Sequence, residues 1–265
     1  MQSSQVAVIT GAAQGIGRAI ALNLASHGFS VALGDIVSKQ QSLKQVADEC
    51  IEVHKTSKSS HVLKVYYGPC DVSVESQVES LVEAAVSELG GIDVMVANAG
   101  IYGAAPLLET SDEMFDRMYA INIKGVLYSY RAAAKAMIPR GGGRIIGASS
   151  TAGVTGYPSN GAYCCSKSAV KILTQTAARE WGRHNITVNA YAPGAADTDM
   201  LHNGVLASVK EEMREQYKAE LLRGTATGKF TLPEDVADLV AFLVSPATRN
   251  ITGQAILMDG GMTMF

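Results

Sequence analysis

Gln5-Val6-Ala7-Val8-Ile9-Thr10-Gly11-Ala12-Ala13-Gln14-Gly15-Ile16-Gly17 is the stretch on which the reading of the fold turns. Its first part, Gln5–Ile9, is a short apolar run, the pattern of a strand buried on both faces. Thr10–Gly17 then sets three glycines in a turn that opens a helical pattern. Glycine suits that place for three reasons. The turn is tight, the backbone must approach a pyrophosphate, and the helix must pack closely on the strand. The helix start also presents free N–H groups and partial positive charge to phosphate. Gly11, Gln14, Gly15, Ile16 and Gly17 are therefore candidate dinucleotide contacts. A glycine-rich stretch alone also fits an ordinary turn, and its place directly after an apolar strand favours the nucleotide reading.

Outward from this stretch, β-rich runs alternate with longer helical patterns. Strands are expected at Gln5–Ile9, Ser30–Gly34, Val62–Tyr67, Ile92–Ala97, Arg144–Ala148, Ile186–Tyr191 and Ala255–Met258. Helices are expected near 15–27, 38–54, 74–89, 111–138, 160–183 and 233–244. This alternation predicts a Rossmann-like α/β fold: a doubly wound parallel sheet of about seven strands with helices on both faces. The polar run Lys55–Ser60 reads as a solvated turn before the third strand. No linker or repeat interrupts the pattern, so one domain over 1–265 is expected. The segment 199–230, with a charged helical piece at Val209–Leu222, breaks the rhythm and reads as a substrate lid.

Asp35 follows the second strand, 18 residues beyond Gly17. A carboxylate there accepts hydrogen bonds from the ribose hydroxyls and repels a 2′-phosphate, which favours NAD over NADP. No lysine or arginine reads as flanking it closely, and the alternative is a helix N-cap or a surface aspartate. Tyr163 and Lys167 stand four apart at the opening of a helical pattern, so they share one face. A free tyrosine titrates near ~10. A neighbouring ammonium lowers that value towards the range where proton exchange is efficient. As a bare pattern this pair occurs by chance on many helices. It gains weight from Ser149-Ser150-Thr151 at the end of the fifth strand, from Asn122 in mid-helix, and from Pro193-Gly194 and Thr198 after the sixth strand. Each of these also has a plainer explanation as a cap, a buried hydrogen bond or a turn.

With those residues in place the chain resembles the short-chain dehydrogenase/reductase family over essentially its whole length. The matching positions are Thr10–Gly17, Asp71-Val72, Asn98-Ala99-Gly100, Asn122, Ser150, Tyr163-x-x-x-Lys167, Pro193-Gly194 and Thr198. The resemblance implies a tetrad of Asn122, Ser150, Tyr163 and Lys167. Tyr163 would exchange the proton with the substrate oxygen and Ser150 would polarise that oxygen. Lys167 would bind the nicotinamide ribose and lower the tyrosine pKa, and Asn122 would hold a water. Ser150 is preferred to Ser149 because the family's serine lies thirteen residues before its tyrosine. Asp71 and Val72 would flank adenine, and Asn98, Ala99 and Gly100 would border the cofactor crevice. Ala97 departs from the second asparagine that many members carry. Within the family, Leu173–Arg179, Asn185–Asn189 and Asp259–Phe265 are similar to acetoin/diacetyl reductases (2,3-butanediol dehydrogenases). The resemblance implies NAD-dependent interconversion of a secondary alcohol and a ketone, such as a small hydroxyketone. It also implies a homotetramer built on the long helices near 111–138 and 160–183 and the C-terminal strand. The apolar tail Met262–Phe265 fits burial at such an interface, and a monomer could also tuck it in.

Composition is compatible with this. The 265 residues are 47% hydrophobic and 18% charged, enough for a sizeable core. A net charge of −3 offers no basic field for nucleic acid or membrane surfaces. No secretory signal or bilayer-length apolar run is visible. Cys50, Cys70, Cys164 and Cys165 do not form a disulfide framework, and reduced thiols fit a cytoplasmic protein. The five histidines lack ligand spacing, so no metal is expected. Two readings compete with the leading one. The same chemistry could act on a polyol, sugar, steroid or secondary-metabolite intermediate, or the chain could be a non-catalytic NAD-binding regulator.

Overall fold

The computed structural model describes residues 5–57 and 62–264. Among them, seven strands form one all-parallel sheet in the order β3-β2-β1-β4-β5-β6-β7. The strands are β1 Val6–Thr10, β2 Ser30–Asp35, β3 Val65–Pro69, β4 Val94–Ala97, β5 Gly143–Ala148, β6 Ile186–Pro193 and β7 Ala255–Met258. The helices are α1 Gly15–Ser26, α2 Gln40–Lys55, α3 Glu75–Ala84, α4 Asp112–Met118, α5 Gly125–Met137, α6 Gly161–Trp181, α7 Arg214–Arg223 and α8 Pro233–Val244.

Alternation along each strand sends neighbouring side chains to opposite faces. On β1, Ala7 and Ile9 face a layer that includes Ile20, Leu24, Leu43 and Val240 of α1, α2 and α8. Val6 and Val8 face Val82, Val126, Tyr130 and Val170 of α3, α5 and α6. Both faces are covered, which is why the strands read as continuous apolar runs. Strand order reverses between β1 and β4, and a crevice opens there at the carboxyl ends of the strands, the usual ligand position in such sheets.

Several boundaries differ from expectation by a few residues. The third strand begins at Val65 rather than Val62, because pairing with β2 begins at Val31 opposite Val65 and Val62 is exposed. The helical stretch near 111–138 is split into α4 and α5 by a π turn at Tyr119–Lys124, and that near 74–89 ends in another at Ala85–Leu89. The sixth strand runs on to Pro193 because Ala192 and Pro193 pair with Leu257 and Met258 of β7. Of the polar run before β3, Lys55 closes α2, and Lys58–Ser60 lie outside the described residues, as do Met1–Ser4 and Phe265. The four thiols are free, with Cys50 and Cys70 buried. No helix among the described residues is long and apolar enough to cross a membrane.

Candidate active site

Every candidate residue except Asn122 lines one crevice of about 1480 Å³. Its floor is the turn between β1 and α1. Gly11 and Gly15 adopt φ of +66° and +55°, a region glycine enters without strain. A Cβ on Gly17 would lie 2.2 Å from the Gly11 carbonyl oxygen and 2.5 Å from Asn98 Nδ2. The α1 N-terminus has no side-chain cap and no acid in its first turn, leaving its N–H groups and partial positive charge for an anion. This cradle fits a dinucleotide pyrophosphate. Asp35 ends β2 on its rim, where Ala13 N donates to Oδ2 at 3.0 Å and Ile36 N to Oδ1 at 2.8 Å. Each carboxylate oxygen keeps capacity for a ribose hydroxyl. The expectation that no lysine stands near is corrected: Lys39 lines the same crevice and its Nζ donates to Gln14 Oε1 at 2.7 Å. The short helical turn Val37–Lys39 brings it there, which spacing along a strand does not show.

Asn98 does more than border the crevice. Its Nδ2 donates to the carbonyls of Thr10 (2.9 Å) and Gly11 (3.0 Å), and its Oδ1 accepts from Tyr191 Oη at 2.7 Å. The ends of β1, β4 and β6 are thereby tied at one side chain. Asp71 Oδ1 accepts from the amide (2.9 Å) and hydroxyl (2.7 Å) of Ser73, which fixes the Asp71-Val72 wall.

Across the crevice, α6 presents Tyr163 and Lys167 one turn apart, and Lys167 Nζ lies 5.5 Å from the Tyr163 ring centre. Nζ donates to the Ala148 carbonyl at 2.9 Å, joining α6 to the end of β5. Ser149 and Ser150 part company here. Ser149 Oγ donates to the Lys167 carbonyl at 3.0 Å and is structural, whereas the Ser150 hydroxyl, which donates to the Pro193 carbonyl at 3.4 Å, stands on the crevice wall close enough to Tyr163 to favour its phenolate. Loss of solvent pushes the Tyr163 phenol up to about 12, against an opposing pull from the Ser150 hydroxyl. The expected lowering by Lys167 does not emerge: burial dominates, and what opposes it comes from Ser150. Burial pushes Lys167 down to about 8. The arrangement keeps Tyr163 a proton-bearing acid at neutral pH.

Asn122 lies in the π turn between α4 and α5, fully buried. Its Nδ2 donates to Ile101 O and to Ser166 Oγ, both at 3.0 Å, and its Oδ1 accepts from Ile101 N at 2.8 Å. Both side-chain N–H groups are thus committed, so a water held at Asn122, as the resemblance implies, would have to meet another of its polar atoms. The amide clamps the β4 exit loop onto α6 and so positions Tyr163 and Lys167. Gly100 passes beneath; a Cβ there would lie 3.2 Å from Asn122 Oδ1 and 3.3 Å from Lys167 Nζ.

A pH test follows from Lys167. Its folded pKa of about 8 lies below the ordinary 10.5, so between these values the unfolded chain binds more protons than the folded one. Stability must then rise with pH across that window, and below it the buried charge costs on the order of 3 kcal/mol. Removing the ammonium removes this slope. Lys167→Met is expected to gain stability relative to wild type at pH 7 and to lose that advantage towards pH 10. Urea melts of cofactor-free protein at several pH values read this directly, and a pH-independent difference contradicts it.

Pro193, Gly194 and Thr198 close the far side, with Thr198 Cγ2 3.5 Å from where a Cβ on Gly15 would stand. The segment after them is a π turn at Met200–Val205, short turns, and α7; Met200, Leu201, Val205 and Tyr217 face the crevice. Several lining residues carry no sequence signal. Tyr102 packs edge-on against Tyr163 at 5.2 Å, and Met262 reaches in from beyond β7. For the tail that holds Met262 the sequence leaves open an interface or a place tucked into the chain's own fold. It turns inwards because Asp259 Oδ2 accepts from Thr263 N (2.8 Å) and Oδ1 from Gly261 N (3.0 Å).

A dinucleotide cradle facing a tyrosine acid, with a serine on the same crevice wall and a buried lysine behind it, defines a nicotinamide-dependent oxidoreductase that interconverts an alcohol and a ketone. The comparisons agree. A family model described as enoyl-(acyl carrier protein) reductase matches residues 11–263. A short-chain dehydrogenase/reductase of Armillaria gallica is 44% identical over 99% of this chain and 97% of its own. The L-2,3-butanediol dehydrogenase of Corynebacterium glutamicum is 39% identical over 98% of each chain. The crystal structure of levodione reductase superposes with a TM-score of 0.90 at 30% identity, covering 98% of both chains. The chain belongs to the short-chain dehydrogenase/reductase family.

Proposed function

We propose that the enzyme works with NAD(H), and that Tyr163 exchanges the proton at the substrate oxygen while Ser150 donates a hydrogen bond to that oxygen. Lys167 holds the nicotinamide ribose, and Asn122 positions the pair. When bound, the nicotinamide supplies or accepts the hydride. Gly11–Gly17, Asp71-Val72, Asn98–Gly100, Pro193, Gly194 and Thr198 hold the dinucleotide. The observation that carries this reading is the convergence of Ser150, Tyr163 and buried Lys167, its Nζ 5.5 Å from the tyrosine ring centre, in the crevice that Asp35 rims.

Asp35 supports NAD over NADP, and Lys39 acts against it. The carboxylate prevails because backbone amides fix it at the rim, while Lys39 is tied to Gln14. Following nicotinamide absorbance with a ketone panel, kcat/KM for NADH is expected to exceed that for NADPH by at least about tenfold, the effect of roughly 1–2 kcal/mol of carboxylate–phosphate repulsion. Asp35→Ser narrows the gap, since Lys39 then becomes the nearest charge. Equal use of both cofactors by wild type overturns the assignment. NADH binding without turnover of any ketone favours the non-catalytic regulator instead.

The segment 199–230 acts as a lid, an assignment supported by its position over the crevice at the carboxyl edge of the sheet. The chain is one domain, supported by its single continuous sheet. A homotetramer through the α4–α5 and α6 faces is supported by exposed Phe115, Tyr119 and Ile172. The free thiols support a cytoplasmic location.

A further inference from the structure

Opposite the reacting oxygen, the crevice is walled by aromatic and thioether groups. Tyr102 packs edge-on to Tyr163, and the phenols of Tyr102 and Tyr157 each lie within electrostatic reach of Tyr217. Tyr157 Oη points at Met262 Sδ, 3.7 Å away. Val205, Val209 and Leu221 fill in between. Polar groups here are largely engaged locally: Ser208 Oγ donates to the Val205 carbonyl at 2.7 Å and Asn160 Nδ2 to the Pro158 carbonyl at 2.9 Å.

Met262 reaches this wall through a built support. Asp259, a buried carboxylate at the end of β7, accepts the amides of Gly261 and Thr263 and folds the segment after β7 into a turn. Gly260 adopts φ +62° and its carbonyl accepts from Thr227 N at 3.0 Å, while Thr231 Oγ1 donates to Met258 O at 2.8 Å. The turn is therefore stitched to the exit of segment 199–230, and its methionine projects into the space the substrate must use.

Resting on the function proposed above, we propose that the Tyr157–Met262 pair is a specificity wall for ketones and secondary alcohols bearing an apolar ring or branched chain on the carbonyl carbon. A polyol or sugar placed there would lose water from several hydroxyls and find few partners, a penalty for each one buried. An apolar ring gains contact with aromatic faces and with the adaptable thioether. A four-carbon diketone can react in the same crevice, and it leaves the Met262 end of the wall untouched.

The matched pair diacetyl and 1-phenyl-1,2-propanedione tests this, because both are vicinal diones and only one carries a ring. Wild type is expected to favour the phenyl dione in kcat/KM. Met262→Ala is expected to reduce that preference by about tenfold, the scale on which a pocket discriminates small apolar groups. Met262→Leu, which restores apolar volume, should recover most of it. The loss should lie mainly in KM for the phenyl dione, and NADH affinity measured by fluorescence titration reports that each variant is folded. An unchanged preference ratio in Met262→Ala overturns the wall. So does a wild type that favours diacetyl. If wild type reduces neither dione nor any other ketone, the function itself fails, and the wall with it.

Discussion

Tyr163→Phe is expected to lower kcat for ketone reduction by about 10³-fold, within the 10²–10⁴ range for loss of a positioned acid. Phenylalanine retains the ring that packs at 5.2 Å against Tyr102 and lacks only the hydroxyl. NADH titration and the melting temperature should therefore change little, which isolates the proton step. The direction of the pH profile is fixed by the same group. Desolvation pushes the phenol up to about 12, so the acid form needed for reduction is present throughout the neutral range. Alcohol oxidation needs the phenolate, so its rate should climb with pH from neutral into the alkaline range while reduction does not. Retention of most turnover in Tyr163→Phe would remove the tyrosine from the chemistry.

Gly17→Ala is expected to weaken NADH binding by at least about a hundredfold and to destabilise the fold by about 1–3 kcal/mol, the usual cost of overpacking. The added carbon would meet a backbone carbonyl at 2.2 Å and the Asn98 amide at 2.5 Å. Neither can yield without moving the turn that cradles pyrophosphate. Gly182→Ala is the control: nothing lies within 4 Å of its added carbon, and its φ of −54° is ordinary helix. That change should be neutral or slightly stabilising. NADH affinity within a few-fold of wild type in Gly17→Ala would contradict the close-packed cradle.

Much of this was legible before any coordinates. The strands announced themselves because both sheet faces are covered, which makes runs such as Val6–Ile9 and Val94–Ala97 wholly apolar. Tyr163 and Lys167 were legible as a pair because helical spacing alone places them together. The roles of the asparagines were not, since a side chain's partners depend on what packs against it. Asn122 gives its amide to Ile101 and Ser166, the latter 44 residues distant, and no local pattern encodes that. Lys39 and Met262 escaped for related reasons. One is carried to the crevice by a single short turn, and the other by a carboxylate that folds the segment beyond the last strand. Residues whose place follows from periodicity can be read from sequence; residues placed by a loop's hydrogen bonds cannot.

The three bonds made by the Asn98 side chain bear on how the cofactor arrives. They lock the phosphate turn to the catalytic end of the sheet during folding, so little chain entropy remains to be lost there on binding. The amides of Ala12 and Asn98, which donate to Gly34 O and to Val96 O, should accordingly be among the slowest to exchange with deuterium even in the cofactor-free enzyme. Any change in exchange on adding NADH should then be concentrated in segment 199–230, which makes that segment, rather than the phosphate turn, the part whose ordering sets the cofactor's residence time.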